Sequence, residues 1–246
     1  NSPQTDISLG LRTPSKGSVT LSLNEKLYFT DNSDYYNNYS SSQVSEEDTC
    51  LYKVNTDDIS TSITYYDQSS WQSNLLNTTV SNNVYDGIEG NFTVEGSNIV
   101  GTIKNNMDFD LMEVIVGFGG QYQKVGYISA GESLDVSIPL SSEEYQKWMD
   151  NGYQMLRKMF YGLNEDEYQD SMVFRNGISA TEAYRIEQRY NLFNSVLFNN
   201  NYDLRETGLD VSVIAFSEKR LIEGDKKVNG NVVNENWENM YVKNFK

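Results

Sequence analysis

The chain has no histidine, one cysteine and three prolines in 246 residues, and each shortage excludes chemistry. Without imidazole there is no Ser-His-Asp or Cys-His activation of a nucleophile, no His-ligated zinc and no histidine acid–base work near neutral pH. With Cys50 as the lone thiol, no disulfide closes within the chain and no thiolate cluster gathers a metal. Cys50 lies between Thr49 and Leu51 in a strand-like stretch and reads as a small buried or half-buried hydrophobe. A nucleophilic thiolate would need a base that the chain does not supply as histidine. Basic charge is short as well: 19 Lys and Arg stand against 35 Asp and Glu, a net charge of −16. Phosphate backbones and anionic membrane surfaces are bound by clustered bases, so this balance excludes nucleic acid and disfavours such membranes. Solubility is the ordinary use of the acidity. There is no run of 18 or more apolar residues, the length a spanning helix needs, and no signal peptide; residues 1–4 read as a processed start or the boundary of a larger polypeptide. A secreted protein, or a soluble piece of a membrane protein, is the expectation.

The chain is rich in Tyr (18), Phe (10), Asn (28) and Ser (27). The aromatics compensate for a hydrophobic fraction of only 38%, and the length suffices for one large domain or two modest ones. An Asn/Ser/Tyr/Thr-rich, acidic, cysteine-poor chain fits the exterior of a Gram-positive cell better than a secreted eukaryotic setting, where small domains lean on disulfides.

Residues 99–140 carry the clearest pattern. Apolar and polar positions alternate in three blocks, 99–104, 111–128 (broken near Gly117–Gly120) and 134–140. Asn105-Asn106 with Asp108 and Asp110 separates the first two, and Ser129-Ala-Gly-Glu132 the last two. Period-two alternation in short pieces predicts half-buried antiparallel strands. Further strands are expected at 17–30 (Val19, Leu21, Leu23, then Leu27 and Phe29 after a bend at Asn24-Glu25), 50–54, 59–66, 78–84 and 91–94. Trp71, Leu75 and Leu76 are expected to anchor a connection, and residues 31–48 to form a long polar loop.

The pattern changes at Leu140. Ser141-Ser-Glu-Glu144 is a capping box, with Leu140 and Tyr145 at its staple positions. Tyr145, Trp148, Met149, Leu156, Met159, Phe160 and Leu163 then recur at helical spacing. A second box, Ser179-Ala-Thr-Glu182, opens a helix with Ala183, Ile186, Tyr190, Phe193 and Leu197 on one face, stopped by Asn199-Asn-Asn201. Strand character returns at 208–216, and Asn229-Gly230 within 226–233 marks a type I′ hairpin. The fold predicted is mainly β with a helical insertion: an antiparallel β-sandwich region over 1–140, two amphipathic helices within 141–202, and closing strands over 203–246, the helices burying their stripe on the sandwich.

Candidate chemistry is thin. Tyr35 and Tyr36 (with Tyr39) in the polar loop, and Trp71 near Tyr65 and Tyr66, are candidate aromatic platforms for sugar; Tyr65 and Tyr66 equally suit a strand with one ring in and one out. The acid runs Glu46-Glu47-Asp48, Asp57-Asp58 and Glu165-Asp166-Glu167 are adjacent in sequence, whereas glycosidase carboxylates face each other from separate elements. Asp31-Asn-Ser-Asp34 and Asp108-Phe-Asp110 lack the spacing of a calcium loop, and Gly117-Phe-Gly119-Gly120 lacks the Gly-Lys-Ser/Thr ending of a phosphate loop and reads as a bulge or turn. No catalytic residue, metal ligand or cofactor is implied.

The cadence Gly101-Thr-Ile103-Lys-Asn105, the apolar strand 111–118, Lys124-Val-Gly126-Tyr-Ile128 and Gly131-Glu-Ser133 resembles a recurring block in uncharacterised extracytoplasmic regions of Gram-positive multi-pass membrane proteins. The segment 211–217 followed by Asn229-Gly230 resembles their closing strands. That resemblance implies an immunoglobulin-like β-sandwich outside the membrane with no assigned catalytic residues. The function expected is a non-catalytic binding or interaction module at the cell surface, the soluble part of a membrane-anchored parent, with an unknown protein or a cell-wall glycan as partner. A carbohydrate-binding module is the alternative, and a glycoside hydrolase the third reading.

With no histidine and one cysteine, purified protein should carry no stoichiometric transition metal. Elemental analysis finding zinc, iron or copper at one per chain would contradict this.

Overall fold

Alternation along the chain decides most of the strands. In a computed structural model, residues 4–12, 16–27, 29–31, 52–70, 73–81, 87–162, 178–198, 210–222, 224–233 and 236–245 are described. In chain order the strands are β1 (Gln4–Arg12), β2 (Gly17–Leu23), β3 (Phe29–Asp31), β4 (Tyr52–Thr56), β5 (Thr61–Gln68), β6 (Ser73–Ser81), β7 (Ile88–Glu95), β8 (Asn98–Asn105), β9 (Leu111–Phe118), β10 (Gln121–Ile128) and β11 (Ser133–Pro139). The helices α1 (Ser142–Tyr161) and α2 (Ala180–Phe198) follow, then β12 (Val211–Ser217), β13 (Lys227–Val228), β14 (Asn231–Val232) and β15 (Asn239–Phe245). The protein is mainly antiparallel β with a helical segment, a β-sandwich of α+β class. It forms two compact units: Asn1–Tyr85 with Arg220–Glu235, and Asp86–Lys219 with Asn236–Lys246.

The first unit holds a five-stranded sheet ordered β14-β13-β2-β5-β4 and a three-stranded sheet ordered β1-β6-β3. Val19, Leu21 and Leu23 of β2 are buried while Thr20 and Ser22 between them are half-exposed, as a strand with one covered face requires. Leu21 stands opposite Ile63, and Val19 opposite Tyr65, so the apolar faces of β2 and β5 stack as cross-strand pairs. The Asn229-Gly230 turn is as expected, both residues at positive φ (50° and 81°). Its tip is fastened to β2: the Thr20 N–H donates to Asn229 Oδ1 at 2.8 Å, and the Asn229 N–H donates to the Thr20 carbonyl at 2.9 Å.

Two elements here depart from the sequence expectation. Leu75 and Leu76 belong to β6, which starts at Ser73, and stand opposite Gly10 and Leu9 of β1. Neither β1 nor the early half of β6 shows strong strand propensity, because Asp6, Ser8 and Gly10 dilute the first and Ser73, Asn74 and Asn77 the second. They form by pairing with each other, a tertiary choice that local composition does not reveal.

The second unit is layered. One sheet runs β10-β9-β12-β15, the other β11-β8-β7. Ile99, Ile103, Val136 and Ile138 of the three-stranded sheet are buried, as are Val114, Val116, Val213 and Ala215 of the four-stranded one. Phe92 of β7 meets Phe245 of β15 at 5.4 Å between ring centroids. The other face of the four-stranded sheet is covered too. Ile115, Ile214, Phe216 and Tyr122 form a single cluster with Trp148, Leu156, Phe160 and Tyr161 of α1 and Tyr190 and Phe193 of α2. The layers are therefore sheet, sheet, helices. Every residue of β12 is buried, which explains its unbroken apolar run Val213-Ile-Ala-Phe216: a strand covered on both faces does not alternate.

Both helices start where their capping signals lie. Ser141 Oγ accepts from the Glu144 N–H at 3.3 Å, and Ser179 Oγ accepts from the Glu182 N–H at 3.1 Å. Glu144's carboxylate goes to Lys147 Nζ at 2.9 Å. Gly162 ends α1 in the left-handed conformation (φ 65°), its N–H donating to the Lys158 carbonyl at 2.9 Å. Asn151 interrupts α1 with φ −137° and ψ 39°, kinking it. Two corrections follow. Tyr145 is 40% exposed and lies outside the buried stripe; its ring sits over Gly120 of the β9–β10 turn. Asn105 is the last residue of β8 and wholly buried, where the start of a turn between strands was expected. Its amide donates to the carbonyls of Phe109 (2.8 Å), Ile128 (3.2 Å) and Ser129 (3.2 Å), and its Oδ1 accepts from the Met107 N–H at 3.1 Å. That side chain ties the β8–β9 and β10–β11 connections together, and burial is tolerated because each polar atom has a partner. The expected stripe residue Leu163 lies outside the described residues.

Phe160 meets Tyr190, Phe193 and Phe216 at 6.1, 5.4 and 5.9 Å, at the centre of the helix–sheet cluster. Phe160→Ala should cost about 3–5 kcal/mol in denaturant unfolding. A cost below about 1 kcal/mol would show that the stripe does not hold the layers.

Candidate functional site

Two places in the second unit concentrate side-chain chemistry. The first is built by the register of the four-stranded sheet. Ser217 stands opposite Asn239, and Val114 opposite Ala215. Glu113, Glu218 and Glu238 therefore fall at one end of three neighbouring strands, on the face that carries Ile115, Ile214 and Phe216 beneath the helices. Three carboxylates there would be prohibitive alone. Arg189 of α2, its side chain only 4% exposed, enters among them.

The guanidinium holds Glu238 through two bonds, Nε to Oε2 at 3.0 Å and Nη2 to Oε1 at 3.1 Å. Nη2 also donates to Glu218 Oε1 at 3.1 Å, and Nη1 lies 3.9 Å from Glu113 Oε1. Arg185, one helical turn away, reaches Glu218 Oε2 at 3.0 Å, and Lys124 of β10 pairs with Glu113. Three acids thus meet three bases. Burial disfavours the charged guanidinium, yet Glu238, Glu113 and Glu218 outweigh it and hold the Arg189 pKa above its ordinary value. Burial pushes the Glu238 carboxyl up from 4.5, Glu218's charge adds to the rise, and Arg189 opposes without cancelling it.

Chemically this arrangement holds layers together. Each carboxylate is already engaged by a base, and the fork of Arg189 matches a carboxylate bidentately. Among the described residues, no group of three or more His, Cys, Asp or Glu side chains is disposed to hold a metal ion.

The second place is a groove of about 290 Å³. β10 and β11 are terminal strands of their two sheets. They are joined through the turn at 129–132 and flank the groove at 121–123 and 138–140, where α1 closes it with Glu144 and Trp148; Val116 and Phe118 of β9 complete the lining. Gly117 makes the geometry possible. It stands opposite Tyr122, and a Cβ there would lie 2.6 Å from the tyrosine ring. With no side chain in the way, Tyr122 lies flat over β9 and meets Trp148 at 5.1 Å and Phe193 at 5.6 Å. The glycine run expected to be a bulge or turn is both a close approach (Gly117) and a two-residue turn with positive φ at Gly119 and Gly120 (54° and 83°).

The aromatic platform candidates Trp71, Tyr35 and Tyr36 lie outside the described residues, as do Cys50, Glu46-Glu47-Asp48 and Glu165-Asp166-Glu167. Tyr65 is buried and Tyr66 exposed, one ring in and one out. Asp57 caps its own loop, accepting from the Ile59 and Ser60 N–H groups at 2.9 and 2.6 Å. Asp110 accepts from the Tyr127 hydroxyl and from the Ala130 N–H at 2.9 Å, and these bonds lower its pKa. The Arg189 cluster went unseen in the sequence. Its signal was a base placed between Ile186, Tyr190 and Phe193 on an otherwise apolar helical face, together with Glu113 inside an apolar strand.

Fold and sites define a β-sandwich protein with a helical layer locked on by a buried ion cluster. The chain belongs to the family described as Domain of unknown function (DUF8725), which matches residues 87–246, beginning one residue inside the second compact unit. No curated protein matches the chain. Among solved structures, a Pseudomonas aeruginosa CupB2 chaperone is similar at 10% identity, covering 53% of this chain and 79% of that one with a TM-score of 0.15; a score that low supports no argument.

Removing Arg189 leaves the buried Glu238 without its base, while Glu218 keeps Arg185 and Glu113 keeps Lys124. Arg189→Leu should cost about 3–5 kcal/mol of stability; a cost below about 1 kcal/mol would mean that the cluster holds nothing. Glu238 also has a sign to test. Its folded-state pKa lies above 4.5, so its contribution to stability is fully present below that value and is lost as pH rises through the folded-state pKa. A carboxyl-carbon NMR titration should place Glu238 above 4.5, and a value below it would contradict the burial argument.

Proposed function

We propose that this chain is a non-catalytic interaction module working outside the cytoplasmic membrane, as the soluble part of a cell-envelope membrane protein. The observation that carries the non-catalytic half is the state of the converging carboxylates. Glu113, Glu218 and Glu238 are each engaged by Arg189, Arg185 or Lys124, and none is poised opposite a second acid across open space, as glycoside hydrolysis needs. The absence of histidine removes the commonest general base. Composition supports the compartment: a cysteine-poor, Asn- and Ser-rich chain of net charge −16 suits a Gram-positive exterior. The resemblance of residues 99–140 to extracytoplasmic regions of multi-pass membrane proteins points the same way, and the immunoglobulin-like kinship belongs to that reading.

The test is a panel of cell-wall glycans and aryl-glycosides, followed by calorimetry for binding and by product analysis for turnover. No turnover is expected. Hydrolysis abolished by removing one carboxylate would overturn the reading. Saturable sugar binding lost in Trp71→Ala, with circular dichroism unchanged, would move it to a carbohydrate-binding module.

A further inference from the structure

The connection between β12 and β15 does more than join them, and what it adds deepens the interaction-module reading, on which this inference rests. β12 and β15 are antiparallel neighbours with Ser217 opposite Asn239, a pair that a loop of about two to five residues commonly joins. Here the chain leaves the second unit after Lys219 and returns to it at Asn236, and residues 220–235 between them belong to the first unit. They carry the β13–β14 hairpin, which pairs with β2 and ends the five-stranded sheet on that side. An isolated hairpin is marginal in water, and strands of two residues more so. The hairpin therefore owes its order to β2.

β2 receives the hairpin residue by residue. Asn229 takes up both main-chain groups of Thr20, accepting from its N–H through Oδ1 at 2.8 Å and donating its own N–H to the carbonyl at 2.9 Å. Lys227 stands opposite Ser22 and Val228 opposite Leu21, so Val228 extends the apolar row of Val54, Ile63 and Leu21 by one strand. Gly224, at φ 74°, lies against Asn24, where an added Cβ would come within 3.0 Å of the asparagine Cβ. Ile222 is fully buried, and its carbonyl accepts from Nζ of the buried Lys226 at 2.7 Å. Without the hairpin, β2 would be a terminal strand with an open edge. The family domain starts at residue 87, so it takes in the hairpin and leaves out β2. We propose that residues 220–235 are a strand-donating arm by which the domain engages a neighbouring module, laying the hairpin on the free edge of that module's β-sheet, with β2 as the acceptor in this chain.

Amide hydrogen exchange on the intact chain tests this. Asn229→Pro removes the N–H given to Thr20 and cannot adopt φ 50°. Exchange at residues 20–23 and 61–65 should speed up roughly tenfold or more, while residues 114–116 and 213–215 of the second unit keep their protection. An end-blocked peptide of residues 220–235, added in excess, should restore protection at residues 20–23 saturably, and the same peptide with Asn229→Pro should not. If Asn229→Pro unfolds the whole chain, Asn229→Gly decides by the same readouts, with a several-fold effect, since it keeps the N–H and the turn and removes only the Oδ1 bond. In the deciding variant, unchanged exchange at residues 20–23, equal loss in both units, no saturable restoration, or equal restoration by the proline peptide would each overturn the proposal. Those results would leave the interaction-module reading standing, since turnover of glycans is what overturns that.

Discussion

A guanidinium that keeps its charge at any ordinary pH sits between a helix and the ends of three strands, and the layered unit is arranged around it. Arg189 would be intolerable on the apolar face of α2 without acids to receive it, and the buried Glu238 would be intolerable at the end of the sheet without Arg189. The cluster adds little net stability beyond what apolar residues of the same size would supply. What it adds is address: α2 can lie on this sheet in one place and one register, because any slide leaves a buried charge alone. The apolar contacts of Phe160 and Phe193 with Phe216 supply the bulk of the attraction, and the ion cluster selects among the ways of making it.

The same burial explains β12. Covered by a sheet on one face and by helices on the other, it cannot alternate, and its flanking positions must turn polar at once where cover ends. Glu218 follows immediately after Ser217, and Glu238 precedes Asn239, so both acids mark the limit of the apolar sandwich. At the opposite end the strands β10 and β11 part, and the helix that starts directly after β11 roofs the gap. One end of the helical layer is thus closed by charge, and the other leaves an apolar groove.

Local signals were legible wherever one residue type performs one task. The two capping serines, the Asn229-Gly230 turn, the alternating β2, β5, β8 and β11 and the helical stripe through Trp148, Leu156 and Phe160 all read from sequence. Long-range features did not. β1 exists because β6 is there to pair with it, Asn105 is buried because the distant carbonyls of Ile128 and Ser129 meet it beside that of Phe109, and Tyr145 leaves the stripe to lie over Gly120 of the β9–β10 turn. The Arg189 cluster joins residues 113, 189, 218 and 238, and no spacing rule connects them. A charged residue on an apolar stripe asks for a partner, but only the sheet register says which. The candidate platform residues Trp71, Tyr35 and Tyr36 lie outside the described residues.

The central claim is that Arg189 and Glu238 act as one unit that locates the helices on the sheet. A double-mutant cycle with Arg189→Leu, Glu238→Leu and the pair, followed by denaturant unfolding, measures that coupling directly. The account predicts that the double variant is markedly more stable than the sum of the single losses implies, with a coupling of about 1.5–3 kcal/mol. Additivity within about 0.5 kcal/mol would contradict it and leave the helices held by apolar contact alone.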